Sequence, residues 1–597
     1  MVYSKKIYGI ISLNTIMIVF IGLISGNSRQ SEIQAQSYDF ADREARIQYL
    51  KSIPVTRWPE ISDRKPMTYD EWKSKAGKFG PIEINLTRRA VPLIENQFRD
   101  ICIIINTLLS NQITAAIDRY VADLILEGYG VETYVTSGGT PFELRAFLQG
   151  RYSAGMDGCL LVGDLPIPWF EDTCWDPPEY CAYPIDLFYM DMDGIWADNN
   201  SNGIYDSHTG DCPPEIWVGR LTASPMIMAN EVALINNYFD KNHRYRARLD
   251  SLVNRSLAYI DDDWIQWAEE WDNIVGLAYD VRTLVSDGAE TVDTDYENKL
   301  GVEYESILLC SHSDPACHYF KIGSEWTGGI TCNDEVVSID PKAYFYNLYA
   351  CSNARYVEWD YMAGWYIFCQ THGIAAIGST KTGSMLNFEY FYGPFGNGKT
   401  IGEALRDWFI SIGQYGYTQD DMCWFYGMTL CGDPTLRNFE NAPLEIVTRQ
   451  LADGEYGQGY TDTLTAQGGR QPYHWSIIEG VLPPELQLNL TSGIISGIPE
   501  DVGTFSIAFE ASDGSVPAQL DTVELSLFVG CLCGDANYDG SINVLDVAYI
   551  VNYLYKGGPA PIPPIAADAD GSGYTNILDA ANIISYLYKG GSAPDCF

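Results

Sequence analysis

Basic residues are scarce in this chain. Lysine and arginine number 37 against 79 aspartates and glutamates, which gives a formal net charge of −42 at pH 7. Nucleic acid and anionic membranes both need a basic protein face, so this deficit argues against either as the main partner. The acidic surplus suits an extracellular protein that binds calcium. An aromatic content of 13% argues that the charge does not come from a disordered tail.

Long apolar runs are also lacking, except at the N-terminus. Lys5 and Lys6 precede an almost wholly apolar stretch over 7–26. A basic start followed by an apolar run is typical of a secretory signal, and we assign residues 1–36 to it. The alternative is an uncleaved membrane anchor, for which the stretch is long enough. We therefore expect an exported protein.

Histidine is rare, with six residues, whereas cysteine is frequent, with 15. Export makes disulfide bonds expected. An odd number of cysteines leaves at least one without a partner in the same chain. A nucleophilic cysteine would account for it.

The remaining chain divides by pattern into four regions. Residues 37–90 are polar with scattered prolines, and we interpret them as an N-terminal extension or pro-segment. Over 91–442 helical and strand patterns alternate, which predicts an α/β domain whose sheet is covered on both faces. Residues 443–530 carry short alternating strands and turn clusters, which predict a β-sandwich. Residues 531–597 contain an internal repeat.

Two strand-length apolar runs end on chemically active residues. The run over 306–312 ends on His312, and the run over 343–351 ends on Cys351. In an open parallel sheet, binding and catalytic residues are concentrated at the carboxyl ends of the strands. The separation of the two residues is about one strand–crossover–strand unit, so we expect neighbouring strands. A thiol beside an imidazole is the minimal apparatus of a cysteine nucleophile.

The C-terminal repeat has the spacing of calcium-binding loops. Residues 535–546 and 568–579 place oxygen-bearing side chains at loop positions 1, 3, 5, 9 and 12 and glycine at position 6. This is the ligand order of an EF-hand loop, with aspartate at position 12 instead of glutamate. The candidate Ca²⁺ ligands are Asp535, Asn537, Asp539, Ser541, Asn543, Asp546, Asp568, Asp570, Ser572, Tyr574, Asn576 and Asp579.

A third loop shares part of this spacing. Asp198, Asn200 and Asn202 stand at positions 1, 3 and 5, followed by glycine at position 6, but Thr209 stands at position 12. Both a calcium site and a polar surface turn remain open for this loop.

Two C-terminal regions resemble known modules. The last 65 or so residues resemble a type I dockerin, because both loops match and a helix pattern follows each. The resemblance implies two calcium ions, main-chain carbonyl ligands at Ser541 and Tyr574, and a cohesin partner on a scaffold or surface protein. Residues 482–513 resemble the immunoglobulin-like repeat of bacterial surface proteins, which implies a spacer or adhesion module.

The region from about 100 to 440 resembles the gingipain family of secreted bacterial cysteine peptidases, which has a caspase-like fold. The segments that carry the resemblance are 308–313, 349–353, 373–380 and 431–436. It implies that Cys351 is the nucleophile, that His312 is the catalytic histidine, and that the amides of Ser313 and Cys351 form the oxyanion hole. The family usually has glycine where this chain has Ser313.

The resemblance also implies acidic residues around the dyad. A carboxylate from the end of an earlier strand orients the histidine in the family, and 261–263 follow such a strand, with Asp263 favoured. Family specificity pockets often pair a carboxylate with a basic substrate residue. Glu269, Glu270 and Asp272 fall in the matching region, which predicts cleavage after arginine or lysine. His372 is the rival base.

These patterns lead to one hypothesis and two alternatives. The hypothesis is a cysteine endopeptidase, secreted or held at a bacterial cell surface, with an immunoglobulin-like spacer and a calcium-loaded dockerin. One alternative is an inactive peptidase fold that serves adhesion or extracellular assembly. The other is a different caspase-like hydrolase or transferase with the same dyad.

Overall fold

The computed structural model describes residues 43–76, 80–91, 99–175, 177–250, 253–438, 444–469, 472–514 and 518–596. The predicted signal peptide, residues 1–36, lies outside the described residues. The chain divides into two units, 1–52 and 53–597. The first unit is represented by one helix, and everything below concerns the second. Among the described residues, none of the helices has the length and apolar character needed to cross a bilayer.

The helices are short to medium in length. They are α1 (Arg43–Ser52), α2 (Tyr69–Ala76), α3 (Thr107–Ser110), α4 (Thr114–Leu126), α5 (Pro141–Tyr152), α6 (Leu187–Met190), α7 (Glu231–Arg246), α8 (Ala268–Val275), α9 (Asp293–Leu300), α10 (Asn333–Ile339), α11 (Met362–Phe368), α12 (Glu389–Gly396), α13 (Ile401–Gly413), α14 (Gln419–Phe425), α15 (Val544–Lys556) and α16 (Ile577–Lys589). Turns of 3-10 helix cover Asp262–Trp267 and Pro564–Ala567.

The strands of the α/β region are β1 (Glu83–Ala90), β2 (Arg99–Asn106), β3 (Tyr129–Ser137), β4 (Met156–Val162), β5 (Trp169–Cys174), β6 (Glu179–Pro184), β7 (Ile195–Ala197), β8 (Ser207–Thr209), β9 (Trp217–Leu221), β10 (Arg255–Ile260), β11 (Val281–Val285), β12 (Tyr304–Cys310), β13 (His312–Ser313), β14 (Cys317–Tyr319), β15 (Ile330–Cys332), β16 (Ala343–Tyr349), β17 (Ala375–Ser379) and β18 (Met428–Gly432). Those of the next region are β19 (Glu445–Ile446), β20 (Gly454–Glu455), β21 (Tyr460–Thr463), β22 (Ala466–Gln467), β23 (His474–Glu479), β24 (Leu486–Leu488), β25 (Ile494–Gly497), β26 (Gly503–Ser512) and β27 (Leu520–Gly530).

One mixed sheet organises the α/β region. Within the described residues it has eleven strands in the order β1-β3-β2-β4-β9-β18-β17-β16-β12-β10-β11. Neighbours are parallel except for the pairs β1–β3 and β17–β18. Every residue of β12 and β16 is buried, as expected for central strands covered on both faces. The carboxyl ends of β17, β16, β12, β10 and β11 therefore lie together at one edge of the sheet, where a site can form.

The sheet begins within the predicted N-terminal extension. Strand β1 pairs antiparallel with β3 at the sheet edge, although it precedes the predicted boundary at residue 91. The sequence gives little signal here because most positions of β1 are exposed or half-buried and its side chains are largely polar. An edge strand of this kind needs no apolar face.

Helix caps explain several boundaries in the α/β region. Thr140 accepts the main-chain N–H of Glu143, and the Glu143 carboxylate accepts the N–H of Thr140, so a capping box starts α5. Thr400 and Glu403 form the same arrangement at the start of α13. Pro141 occupies the first turn of α5, where its missing N–H costs nothing.

The two C-terminal regions have separate cores. In the first, β20-β27-β26-β23 face β21-β25-β24, and Trp475, Ile507 and Phe509 are buried between them. In the second, α15 packs on α16, with Ile550 and Ile583 fully buried. The helical pattern that follows each loop predicts an apolar face around Ile550, Leu554, Ile583 and Leu587 that forms the docking surface and core. The structure places Ile550 and Ile583 in the core, and it exposes Leu545 and Leu578 instead.

Candidate active site

His312 and Cys351 follow two adjacent strands. β12 and β16 pair in parallel, with Cys310 opposite Tyr349. Each of the two residues comes two positions after the end of its strand. The prediction that these strands are neighbours is confirmed. Both side chains therefore project from the same carboxyl edge of the sheet.

His312 is held by hydrogen bonds on both ring nitrogens. Its Nδ1 accepts the main-chain N–H of Arg57 at 3.1 Å, which leaves the ring proton on Nε2. Nε2 donates to Asp263 Oδ2 at 2.7 Å. Trp264 and Trp326 lie against the ring, with centroids 4.9 and 5.0 Å away. Burial lowers the pKa of His312 in spite of the nearby carboxylate, so the ring is held neutral.

Asp263 is the member of the acidic triplet that reaches the histidine. Burial opposes its ionisation, but hydrogen bonds from His312 and Lys321 outweigh burial and bring its pKa down to about 2. Lys321 Nζ lies 2.7 Å from the same Oδ2. Asp261 instead accepts the main-chain N–H of Lys321, and burial raises its pKa to about 7. Asp262 accepts the N–H of Gly323. Asp263 thus remains charged beside the imidazole.

The Cys351 thiol is fully buried and protonated. Its Sγ donates to the main-chain carbonyl of Ser313 at 2.7 Å. Burial raises the pKa of the Cys351 thiol well above its ordinary value. The next residue, Ser352, has a φ of 58°, a left-handed conformation that is uncommon outside glycine. Backbone strain of this kind is concentrated at functional sites.

Ser313 joins the dyad to a braced hairpin. Its Oγ donates to the carbonyls of Asp314 at 2.6 Å and Cys317 at 3.0 Å. A disulfide joins Cys317 to Cys332 and fastens β14 to β15. The hydroxyl that replaces the family's usual glycine is therefore bound within the hairpin, while the Ser313 carbonyl faces the thiol.

The predicted substrate carboxylates have other surroundings. Asp272 lies on α8, and its Oδ2 accepts from Arg282 Nε at 3.1 Å. Glu269 is exposed on the same helix. Within the described part of the chain, no hydrogen bond links either carboxylate to His312 or Cys351. Burial raises the pKa of Glu389, at the start of α12, and Glu270 raises it further.

The other histidines of this region have separate partners. His372 Nδ1 lies 2.7 Å from the Thr371 hydroxyl, and the ring packs against Tyr344. His318 is fully buried, and burial lowers its pKa to about 3. Its Nδ1 lies 3.5 Å from Ser311 Oγ. These surroundings are those of structural histidines.

An N-terminal segment, residues 53–68, crosses the site, and we call it the strap. The carbonyl of Pro54 accepts from Trp264 Nε1 at 2.8 Å. Arg57 donates its N–H to His312, and Ser62 Oγ donates to Asp314 Oδ2 at 2.7 Å. With the strap in place, His312 is 4% exposed and Cys351 is 0% exposed. Residue patterns do not predict these contacts, because Arg57 and Pro54 make them through the main chain.

The C-terminal loops are closed by hydrogen bonds to their own carboxylates. Asp535 accepts the main-chain N–H groups of Asp539 at 3.0 Å and Gly540 at 2.9 Å. In the second loop, carboxylate oxygens of Asp568, Asp570 and Asp579 lie within 4.8 Å of one another. Carboxylates at such spacing suit a hard cation with oxygen ligands. The residues present therefore fit calcium.

The third loop repeats the hydrogen bonds of the first. Asp198 accepts the N–H groups of Asn202 at 3.2 Å and Gly203 at 2.9 Å. Glu171, from β5, accepts the side-chain amides of Asn200 at 2.6 Å and Asn202 at 3.0 Å. A carboxylate distant in sequence thus stands beside a loop that has threonine at position 12. Sequence spacing alone could not have found it.

Comparison with protein families identifies the three regions. The model of peptidase family C25 matches residues 100–439, the putative Ig domain model matches 443–527, and the dockerin type I domain model matches 533–588. The first match covers more than half of the chain. The chain belongs to peptidase family C25. The predicted resemblances and the predicted fold class are confirmed, and dockerin type I domains bind calcium. No curated protein sequence matches the chain.

Solved structures add little to this assignment. The chain is 12% identical to the Arg specific cysteine proteinase gingipain R, over 74% of this chain and 100% of that chain, with a TM-score of 0.45. It is 25% identical to a putative alpha-galactosidase/melibiase from Bacteroides fragilis NCTC 9343, over 15% of this chain and 17% of that chain, with a TM-score of 0.13. These likenesses are too low to carry an argument about function.

Proposed function

We propose that this C25-family protein is an exported cysteine endopeptidase that uses Cys351 and His312. The observation that carries the proposal is the Asp263–His312 hydrogen bond at the carboxyl edge that also presents Cys351. In the reaction, the Cys351 thiol passes its proton to His312 and attacks the scissile carbonyl carbon. The amides of Ser313 and Cys351 stabilise the oxyanion.

The later steps use the same groups. His312 donates its proton to the leaving amine, which departs as the new amino terminus. Water then attacks the thioester carbonyl and gives a proton to His312, and the acid product leaves as the Cys351 thiol re-forms. Asp263 keeps the imidazole oriented and stabilises its charged form.

The described conformation supports a latent form of this enzyme. Arg57 occupies the Nδ1 lone pair that would take the thiol proton, and the thiol is bonded to a carbonyl. We assign the strap to a pro-segment whose departure frees the Nδ1 lone pair of His312, whereas the Cys351 thiol must in addition leave the Ser313 carbonyl. The same features favour the alternative of an inactive peptidase fold, since a buried, protonated thiol is a poor nucleophile.

One experiment separates these two functions. The full chain, before and after limited proteolysis, is incubated with an unfolded protein such as carboxymethylated lactalbumin, beside a Cys351→Ala chain treated identically. Turnover that appears after proteolysis and is absent from the alanine variant supports the peptidase. Equal results for both chains would leave the non-enzymatic alternative.

The side chain on the acyl side of the scissile bond is proposed to be basic. Cleavage after arginine or lysine is supported by the acidic residues Glu269, Glu270 and Asp272, which stand on α8. Asp272 shares its charge with Arg282, so Glu269 and Glu270 are the carboxylates that remain for a cationic side chain.

For the C-terminal region we propose calcium-dependent attachment. Loop residues from Asp535 to Asp546 and from Asp568 to Asp579 hold one Ca²⁺ each and order the helices that follow. A cohesin on a scaffold or surface protein is the partner, which places the enzyme outside the cell or on its surface. Asp198, Asn200 and Asn202 hold a third Ca²⁺, with Glu171 supplying the carboxylate that position 12 lacks.

A further inference from the structure

Both polar groups of the Met67 main chain, the N–H and the carbonyl, form hydrogen bonds with side chains. Its N–H donates to Glu358 Oε1 at 2.6 Å, and its carbonyl accepts from Arg355 Nη2 at 2.8 Å. Arg355 Nε also donates to the same Glu358 oxygen at 3.1 Å. We call Arg355 and Glu358 the clamp. Because it bonds the N–H and carbonyl of one residue, the clamp recognises peptide backbone rather than a side chain.

The clamp does not depend on the strap for its shape. Arg355 donates through Nη1 to the Thr380 carbonyl at 3.0 Å and through Nη2 to the Ala182 carbonyl at 3.0 Å. Its guanidinium also lies 5.2 Å from the ring centroid of Trp169. When the strap leaves, Arg355 stays fixed by these contacts, but Glu358 loses the Met67 N–H. Glu358 then keeps its ion pair with Arg355 but has an acceptor position left open, and a half-buried carboxylate in that state favours another N–H in place of the one lost.

The arginine of the clamp lines a cavity next to the catalytic segment. Arg355 comes four residues after Cys351, and it lines a cavity of about 620 Å³ together with Ser352. Trp58 and the segment 64–68 of the strap form part of the cavity wall. Departure of the strap would therefore uncover Arg355 and Ser352, the residue that follows the nucleophile.

We propose that the clamp is a backbone-binding subsite for polypeptide substrates and that Met67 occupies it in the latent chain as a substrate mimic. This inference rests on the proposed function, because it assumes that the cavity admits an extended polypeptide. It assigns Arg355 and Glu358 to substrate positioning. The site accepts any residue except proline, which lacks the N–H that Glu358 binds.

The test measures binding, so that it does not require turnover. The full chain carries Cys351→Ala and a recognition sequence for a site-specific protease inserted after Ala76, and it is cut there. The probes are fluorescent carboxymethylated lactalbumin and a synthetic peptide of residues 53–76. We expect Glu358→Ala to weaken both probes about tenfold, the loss of a hydrogen bond to a charged group. Glu358→Gln, which keeps the acceptor oxygen, should restore most of the affinity.

A backbone-edited peptide isolates the contact. In this peptide the amide nitrogen of Met67 is replaced by an ester oxygen, which removes the N–H and weakens the Pro66 carbonyl as an acceptor, and comparison of the two chains isolates the contribution of the N–H. On the parent chain, the ester peptide should bind about tenfold more weakly than the amide peptide. On the Glu358→Ala chain, the ester peptide should bind no more weakly than the amide peptide. Glu479→Ala, an exposed change in the sandwich, is the control for charge.

The outcomes are distinct. If Glu358→Ala weakens the strap peptide and leaves lactalbumin binding unchanged, the clamp is a latch and not a subsite, and the inference is wrong. The inference would also be wrong if the ester weakened peptide binding by the same factor in the parent chain and in the Glu358→Ala chain. Failure of the proposed function looks different: the cut chain with Cys351 intact would bind lactalbumin through the clamp without cleaving it.

Discussion

The main-chain N–H of Arg57 lies 3.1 Å from Nδ1 of His312 and donates to it, across 255 positions of sequence. A general base can take a proton only through a free lone pair, and this lone pair is occupied. The donor belongs to the backbone, so the contact survives any change of the Arg57 side chain except to proline. It follows that access to the dyad is controlled by the position of the strap and not by the arginine charge.

Arg57→Pro should therefore loosen the strap. The substitution removes the N–H and costs one hydrogen bond, so we expect Cys351 in the full chain to be alkylated about fivefold to tenfold faster by iodoacetamide. Peptide mass mapping measures the rate at Cys351 separately from the other thiols. Arg57→Lys keeps the N–H and serves as the control. A rate unchanged by proline would show that this contact does not restrict access.

The dyad makes a second prediction. In the proteolytically activated chain, Cys351→Ala and His312→Ala should each lower the rate of protein cleavage by about a thousandfold or more, because nucleophile and base act as a unit. His372→Ala should keep most of the activity, since its ring contacts Thr371 and Tyr344. Circular dichroism checks that each variant is folded. If His372→Ala were inactive and His312→Ala active, the base would be misassigned.

Much of this site follows from sequence, and the reasons for the rest are physical. Apolar runs locate His312 and Cys351, because buried strands have a strong signal and chemistry follows their ends. The resemblance indicates Asp263, and the structure gives it a hydrogen bond to His312. Main-chain contacts such as those of Arg57 and Met67 do not depend on the side chain, so they cannot be predicted from residue type.

The dockerin helices show a different limit. Helical spacing identifies the apolar positions of α15 and α16 but does not say which of them face the partner helix. Ile550 and Ile583 turn out to be fully buried, whereas Leu545 and Leu578 are exposed at the helix starts. Only the packing of the two helices against each other decides between these faces.

The third prediction concerns pH. The pKa of Asp263 falls from an ordinary 3.8 to about 2 in the folded chain. A depressed carboxyl pKa contributes stability above the unfolded pKa and loses it as pH falls through the folded pKa. Relative to Asp263→Asn, the parent should be more stable by about 2 kcal/mol at pH 6, and this advantage should vanish between pH 4 and pH 2. Urea denaturation followed by tryptophan fluorescence measures it.

Glu269→Gln is the matched control for this measurement. Glu269 is exposed, so removing its charge should leave stability nearly unchanged at both pH values. An Asp263→Asn chain as stable as the parent at pH 6 would contradict an Asp263 carboxylate stabilised by His312 and Lys321.

The fourth prediction tests the specificity proposal. Products of lactalbumin digestion should end mainly in arginine or lysine, because carboxylates on α8 attract a cationic side chain. Glu270→Gln should weaken this preference more than Asp272→Asn, since Asp272 already pairs with Arg282. Mass spectrometry of the product termini decides the point. Products that end mainly in apolar residues would overturn it.

The last prediction concerns calcium in the full chain. Asp535 and Asp546 in one loop, and Asp568 and Asp579 in the other, are buried carboxylates at 5% exposure or less. Close-set buried carboxylates repel one another unless a cation neutralises them, so binding free energy becomes folding free energy. Chelation should expose α15 and α16 to proteolysis and leave the peptidase domain intact, and added calcium should reverse the effect.

Calorimetric titration of the same chain should find three bound calcium ions. The number should fall to two after Asp579→Asn, and to two after Glu171→Gln because the third loop then loses its carboxylate. If the parent chain binds two calcium ions and Glu171→Gln leaves that number unchanged, the third site is wrong. If chelator does not change the cleavage pattern, the proposal of calcium in the dockerin loops is wrong.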